Sequence, residues 1–528
     1  MSKAVLKQSG ETAAENRDGE RDGRFRCAVL YDRVMDADEA AMLIADGATV
    51  AVSGFTPSGC PKLVPLAVTE QVRSGRRKLR LTLLSGASTG DELDSDWASL
   101  GIIARRLPYM TSRALRTAVN GGGPEPVCYT DVHLGETAQN ARLGFYGKID
   151  VALIEAAAIT ADGGIVPTTA VGCSQTWIDL AERVIVELNL AQSAALEGLH
   201  DIYRAGDPPC RGPIPLTGVG ERIGTPYLRC PQEKIAAVVI GEAKEHPRPF
   251  APEDEISRAI AANIVRFLEG EKAAGRLSAD ELPLQSGVGS MANAVLLGLK
   301  SSAFTHMRFY SEVMQDGILD LIDAGKADFA SATSLSFSEE GMRRLLGDLG
   351  KYRGRLVLRD SEISNSAEVI RRLGVIAMNT AVEADIYGNV NSSQMNGSLI
   401  YNGIGGSGDY ARNAAISIFM TGSVAKGGTI SSIVPMVTHV DHCEHDVDVL
   451  VTEQGYADLR GLSPKERAVR IIEACAHPDY RPQLRAYFED ACDAAHGAQT
   501  PHRLEKCFGF HERLARCGSM RGGEEGER

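Results

Sequence analysis

Apolar residues fall along this chain in compact runs that stop abruptly at glycine, serine, threonine or an acid. Thr49 to Ser53, Leu79 to Leu84, Val151 to Glu155, Leu282 to Gly289, Met307 to Glu312 and Gly374 to Thr380 are such runs, and each predicts a strand. Between them the period changes. Asp36 precedes an amphipathic stretch that reads as a capped helix, and Gly54 to Gly59 reads as a turn leading into a second helix. Glu255 to Lys272 and Ala292 to Leu299 read as further helices. Strands alternating with helices predict a mainly parallel α/β sheet.

The pattern occurs twice. AAAITADGGIVPTT (residues 156–169) parallels TAVEADIYGNVNSS (residues 380–393). Gly54 and Gly164 stand 110 residues apart, and Gly287 and Gly388 stand 101 apart. Spacings this long describe a duplicated domain rather than a solenoid, whose period is roughly 20 to 50 residues. The expected fold class is α/β, as two tandem related open α/β domains. A proline-rich stretch from Asp207 to Pro231 suits an interdomain crossing. The expected division is 25–230 and 231–510, with disordered tails at 1–24 and 511–528.

Composition narrows the function more than the fold. The 528 residues are 44% hydrophobic and 24% charged, as in an ordinary globular protein, and the net charge of −13 argues against nucleic-acid and anionic-membrane surfaces. No apolar run approaches the roughly 20 residues that cross a bilayer. The first residues lack the apolar core of a secretory signal, and Glu11, Glu15, Asp18, Glu20 and Asp22 make a poor mitochondrial presequence. The expected compartment is the cytoplasm. Eleven cysteines with no C-x-x-C pair agree with a reducing environment.

The candidate chemistry gathers in Gly287 to Gly317, GVGSMANAVLLGLKSSAFTHMRFYSEVMQDG. A glycine turn brings backbone N–H groups near a ligand, and a carboxylate at the carboxyl end of a strand, here Glu312, faces the crevice of an open sheet. Two readings compete. Gly287, Gly289 and Ala292 fit G-x-G-x-x-A with Glu312 as the ribose-binding acid of a dinucleotide fold, which would make an NAD-dependent oxidoreductase. Gly403 to Gly408 also fits G-x-G-x-x-G but has no acid about 20 residues on. Two turns with one acid suggest a single site.

Other polar clusters read as structure. His439 and His442 lie in THVDHCEH, where polar turn residues between two strands explain the composition as well as a metal does, so no metal is expected. Cys60 has no identifiable basic partner. Asn389, Asn391 and Gln394 suit turn formation at least as well as pocket lining.

SGFTPSGCPK, IPLTGVGERIGTPY, GVGSMANAVLLGL, YSEVMQDG, NGIGGSGDYARNA and KGGTISSIVPMVTHVDHCEHDVDVLVTEQGYADLRGL, with AHPDYRPQL, are long stretches spread between Val34 and Tyr487. On these stretches the chain resembles the acetyl-CoA hydrolase/transferase family of class I CoA-transferases, which includes succinyl-CoA:acetate CoA-transferases. The resemblance implies two domains of the CoA-transferase-like (NagB/RpiA-like) fold with the active site between them, in a homodimer. It implies that Glu312 is the nucleophile and that Asn365, of Ser364-Asn365-Ser366, lies beside it. It places CoA on Gly287, Val288, Gly289, Ser290 and Met291, and on Asn402, Gly405 and Gly406, with Lys426 as a further contact.

Val288 and Gly405 or Gly406 are the candidate oxyanion donors, worth roughly 3 to 4 kcal/mol each in other enzymes. CoA is then a substrate and covalent intermediate, with no permanently bound cofactor, and the partners are an acyl-CoA and a short carboxylate. One departure stands out. Where the family reads K-G-G-K-I-S, this chain has Thr429, which weakens a contact to a CoA phosphate or leaves it to another cation.

Overall fold

The computed structural model describes residues 23–246, 253–277 and 282–522. Its principal strands, in chain order, are β1 Thr49–Val52, β2 Leu81–Leu84, β3 Ile103–Leu107, β4 Cys128–Tyr129, β5 Val151–Ala156, β6 Arg183–Asn189 and β7 Ile235–Gly241. There follow β8 Leu282–Ser286, β9 Met307–Tyr310, β10 Ala327–Ala332, β11 Leu356–Arg359, β12 Ile376–Thr380, β13 Ile416–Met420, β14 Val449–Thr452 and β15 Gly455–Asp458. The helices that matter below are α1 Leu63–Arg73, α2 Glu255–Ala273, α3 Ser290–Ser301, α4 Ser361–Ser364, α5 Ser407–Ala411 and α6 Gly509–Cys517.

The chain folds into two compact units that do not follow chain order. Of the described residues, 23–246, 309–319 and 329–373 make the first, and 253–277, 282–308, 320–328 and 374–522 the second. The segment bearing Glu312 therefore groups with the amino-terminal residues, whereas a division at 230/231 puts it in the carboxy-terminal domain.

In the first unit a parallel sheet runs in the order β7-β6-β5-β1-β2-β3-β4. Every residue of β5 is buried, as expected of a strand covered on both faces. The same unit holds a second parallel set, in which β11 lies between β10 and the short strand His200–Asp201. In the second unit β14-β13-β12-β8 run parallel, β9 follows β8, and β15 closes the far edge antiparallel to β14.

The duplication is visible in this order. Counted along the chain, β7-β6-β5-β1-β2 and β14-β13-β12-β8-β9 have one topology. The two similar sequence stretches are also alike in shape. After β5, Ala158–Ile159 pairs antiparallel with Ile165–Val166, and after β12, Glu383–Asp385 pairs antiparallel with Val390–Asn391.

Helix starts show why these residues fold as they do. The Asp36 carboxylate accepts the Glu39 N–H at 2.8 Å, capping the helix Ala37–Ala41. Asp254 and Ser257 form a capping box on α2, which packs against α3. The sequence stretch expected as a tail from residue 511 is instead largely ordered through residue 522. Phe510 and Met520 are buried in α6 and just beyond it, and His511 Nε2 meets Glu383 Oε2 at 2.8 Å. Arg24, at the end of the other expected tail, is also buried, donating to the carbonyls of Gln192 (2.7 Å) and Leu190 (3.0 Å). Residues 1–22 and 523–528 lie outside the described residues. Among the described residues no helix is long and apolar enough to cross a membrane.

Candidate active site

Glu312 sits two residues past β9, in a bend between that strand and Val313–Met314. Its backbone is fixed. The Glu312 carbonyl accepts the N–H groups of Thr333 (2.9 Å) and Ser334 (3.2 Å), and Val313–Met314 pairs parallel with Ser334–Leu335. The residues 333–335 are held in turn by two loops of the same unit. Thr333 Oγ1 accepts the Gly172 N–H at 3.0 Å, Leu335 N–H donates to Thr169 O at 2.8 Å, and Ser334 Oγ donates to Phe55 O at 2.9 Å.

Glycine is required where these loops meet. Gly54 and Gly172 have φ of +102° and +57°, and a Cβ on Gly172 would lie 2.5 Å from the Gly54 carbonyl oxygen. Behind Glu312, Val313 packs with Phe55, Ala87, Leu134 and Ala170 in a buried apolar cluster.

The Glu312 carboxyl is pushed up to about 7 by burial, an effect partly opposed by a hydrogen bond from Asn365. Asn365 Nδ2 donates to Glu312 Oε1 at 2.5 Å. Asn365 is itself buried and ends α4, its N–H donating to Ser361 O at 2.8 Å, while Ser361 N–H donates to Gly172 O at 2.9 Å. A carboxylate near its midpoint at neutral pH, oriented by a neutral amide, is suited to nucleophilic attack.

The expected CoA-binding residues lie in the second unit. Gly287 follows β8 and donates to Met378 O of β12 at 3.3 Å, Val288 is 43% exposed, and Gly289, with φ of +108°, caps α3. Ser290 and Met291 begin that helix, whose first turn carries no acid. Asn402 Oδ1 accepts the Gly403 N–H at 2.7 Å, Gly405 has φ of +62°, and Gly406 caps α5, which packs on β12 and β13. The two glycine turns thus belong to neighbouring elements of one sheet. Lys426 is exposed with φ of +46°. The Thr429 side chain turns back, Oγ1 donating to Lys426 O at 2.9 Å.

The histidine-rich stretch does something sequence reading missed. His442 is fully buried, its Nε2 is 3.0 Å from Ser407 Oγ at the start of α5, and its ring lies on Phe419 with centroids 4.6 Å apart. It braces the second glycine loop. The stretch also departs from the expected pair of strands, forming a single bridge from His442 to Val390 and a 3-10 turn at Glu444–Asp446. Among the described residues no cluster of three His, Cys, Asp or Glu is placed to hold a metal ion. Asn389 and Asn391 bond Asp385 and Glu383 within their own hairpin. Cys60 is fully buried, and burial pushes its thiol far above its usual range, which disfavours the thiolate.

Comparison with known proteins gives the family and the fold. Residues 21–240 match the acetyl-CoA hydrolase/transferase N-terminal domain, and residues 341–488 match the acetyl-CoA hydrolase/transferase C-terminal domain. The chain is 50% identical over 498 residues to the succinyl-CoA:acetate CoA-transferase of Clostridium kluyveri, which covers 94% of this chain and 92% of that one. It is 44% identical over 517 residues to an acetyl-CoA hydrolase of Yarrowia lipolytica, covering 94% and 98%. The solved structure of RipA from Yersinia pestis has the same fold, with a TM-score of 0.67 at 22% identity over 89% of this chain and 99% of that one.

These likenesses define an enzyme of the CoA-transferase class, built on the two-domain CoA-transferase fold. More narrowly, the chain belongs to the acetyl-CoA hydrolase/transferase family. Membership displaces the dinucleotide reading of Gly287, Gly289, Ala292 and Glu312.

Proposed function

We propose that the protein moves CoA from succinyl-CoA to acetate through covalent intermediates on Glu312. The observation that carries this reading is the Glu312–Asn365 pair, a buried carboxylate held at one oxygen by an amide that does not titrate. Glu312 attacks the donor thioester carbonyl, the C–S bond breaks, and an acyl-glutamyl anhydride and CoA thiolate result. The thiolate then attacks the glutamyl carbonyl, releasing succinate and leaving a glutamyl-CoA thioester. Acetate enters and the two steps run backwards, giving acetyl-CoA and free Glu312.

Val288 and Gly406 are assigned the N–H groups that meet the developing oxyanion, with Gly287, Gly289, Ser290, Met291, Asn402, Gly405 and Lys426 assigned to CoA. The enzyme is proposed to work as a cytoplasmic homodimer with kinetics of the ping-pong type. The same site running on propionyl-CoA and succinate is the second substrate pair. Hydrolysis is the alternative chemistry, favoured by the likeness to a hydrolase.

An isotope-exchange assay separates these readings. Labelled acetate entering acetyl-CoA, with little thiol released in its absence, is the expected result. Acetate-independent thiol release at the same rate would assign the protein to hydrolysis.

A further inference from the structure

A buried charge cluster lies beside the nucleophile's mount, and no step above uses it. Lys62 is 3% exposed, and its Nζ donates to Glu155 Oε1 (2.7 Å) and Cys60 O (2.6 Å), with Glu245 Oε1 at 3.9 Å. Glu155 also accepts from Thr168 Oγ1 (2.6 Å) and Asn189 Nδ2 (2.7 Å). Nearby, Glu187 accepts the N–H groups of Lys62, Leu63 and Val64, at the start of α1. Two carboxylates, Glu155 and Glu245, thus face one ammonium, and a third, Glu187, takes the backbone N–H groups beside it. Burial pulls Lys62 down, but Glu155 and Glu245 more than offset it and hold the ammonium charged, while burial raises Glu245 and pushes Glu187 up to about 7.

Such a cluster is costly to bury and is weak evidence for stability alone. Its connections point elsewhere. Glu245 Oε1 accepts two hydrogen bonds, from Gly59 N–H (2.5 Å) and Thr169 Oγ1 (2.6 Å). Those two segments grip both polar groups of one residue: Leu335 N–H donates to Thr169 O (2.8 Å), and Ser58 Oγ donates to Leu335 O (2.7 Å). The residue before it, Ser334, donates its N–H to the Glu312 carbonyl.

We propose that Glu245, anchored by Lys62, is a positioning residue for Glu312, tying the turn 55–59 to Thr169 so that residues 334–335 hold the nucleophile in register. This rests on Glu312 being the nucleophile. A shift of about 1 Å at a reacting group costs up to a hundredfold in rate, so a mount built through four residues reaches catalysis without touching substrate.

The test compares Glu245→Ala, Glu245→Gln, Thr169→Val and Glu312→Ala in the full chain, with kcat and KM for succinyl-CoA measured per folded enzyme. Glu245→Ala is expected to lower kcat about ten- to a hundredfold with KM within about threefold. Glu245→Gln keeps an acceptor oxygen at the same place and is expected to restore kcat to within about fivefold of the parent. Thr169→Val, which removes one of the two bonds, falls between them and keeps the test usable if Glu245→Ala does not fold. A parent-like kcat in both Glu245→Ala and Thr169→Val would overturn the proposal, as would a glutamine variant as impaired as the alanine one. If Glu312→Ala retains exchange, the nucleophile assignment itself fails, whatever the Glu245 variants do.

Discussion

Glu312 is held at both ends, its carbonyl by Thr333 and Ser334 and its carboxylate by Asn365, and the reactivity proposed for it follows from that. Because the attacking form is the carboxylate and burial puts the carboxyl at about 7, kcat/KM should rise with pH through about 7. Asn365→Ala removes the bond that favours the charged form, so this limb should move to higher pH while kcat falls roughly tenfold or more; an unmoved limb in the pH profile would separate Asn365 from Glu312. The same shift acts on stability. The folded pKa lies above the ordinary 4.5, so folding gains from protonation below the unfolded value and loses that gain as pH rises through about 7. Glu312→Gln should therefore raise the thermal midpoint at pH 8 and leave it nearly unchanged at pH 4. Glu312 was legible in the sequence because a strand, a bend and an acid are local. Glu245 was not, since Gly59 and Lys62 lie more than 180 residues before it and only the fold brings them to it.

Among the elements, the glycine turns are the parts that sequence reading could place, and their bracing is the part it could not. Gly289 and Gly405 adopt the positive φ that a tight turn before a helix needs, and the residues that follow are helical as expected. Nothing local announces that Gly54 and Gly172 touch backbone to backbone. Gly172→Ala should cost about 2 kcal/mol or more in a urea melt, because its Cβ meets the Gly54 carbonyl and its φ is positive. The Lys426 loop is braced from α6 onwards: Met520 N–H donates to Thr429 O (2.8 Å), and Arg521 Nε donates to Gly428 O (2.8 Å). A chain ending at Gly518 should show faster amide exchange in residues 426–431 and unchanged exchange in β5. The charged, glycine-rich end read as a tail because its anchors, His511 and Met520, are too sparse to make a pattern.

For the whole molecule, the repeated strand order says that one α/β plan was used twice, while the two compact units, which are divided differently from the repeats, carry different duties in the proposed reaction. The first unit holds the nucleophile and its mount, and the second holds the glycine turns assigned to CoA. Family and fold were legible because long motifs and a duplicated pattern survive in the chain. Acyl preference was not, because it depends on side chains brought together from distant segments. The central claim is covalent chemistry at Glu312, and mass spectrometry of the protein after incubation with succinyl-CoA tests it most directly. A CoA adduct on the peptide containing Glu312, absent from Glu312→Ala, is the predicted result. Turnover of succinyl-CoA with no adduct under trapping conditions, or an adduct on another peptide, would contradict it.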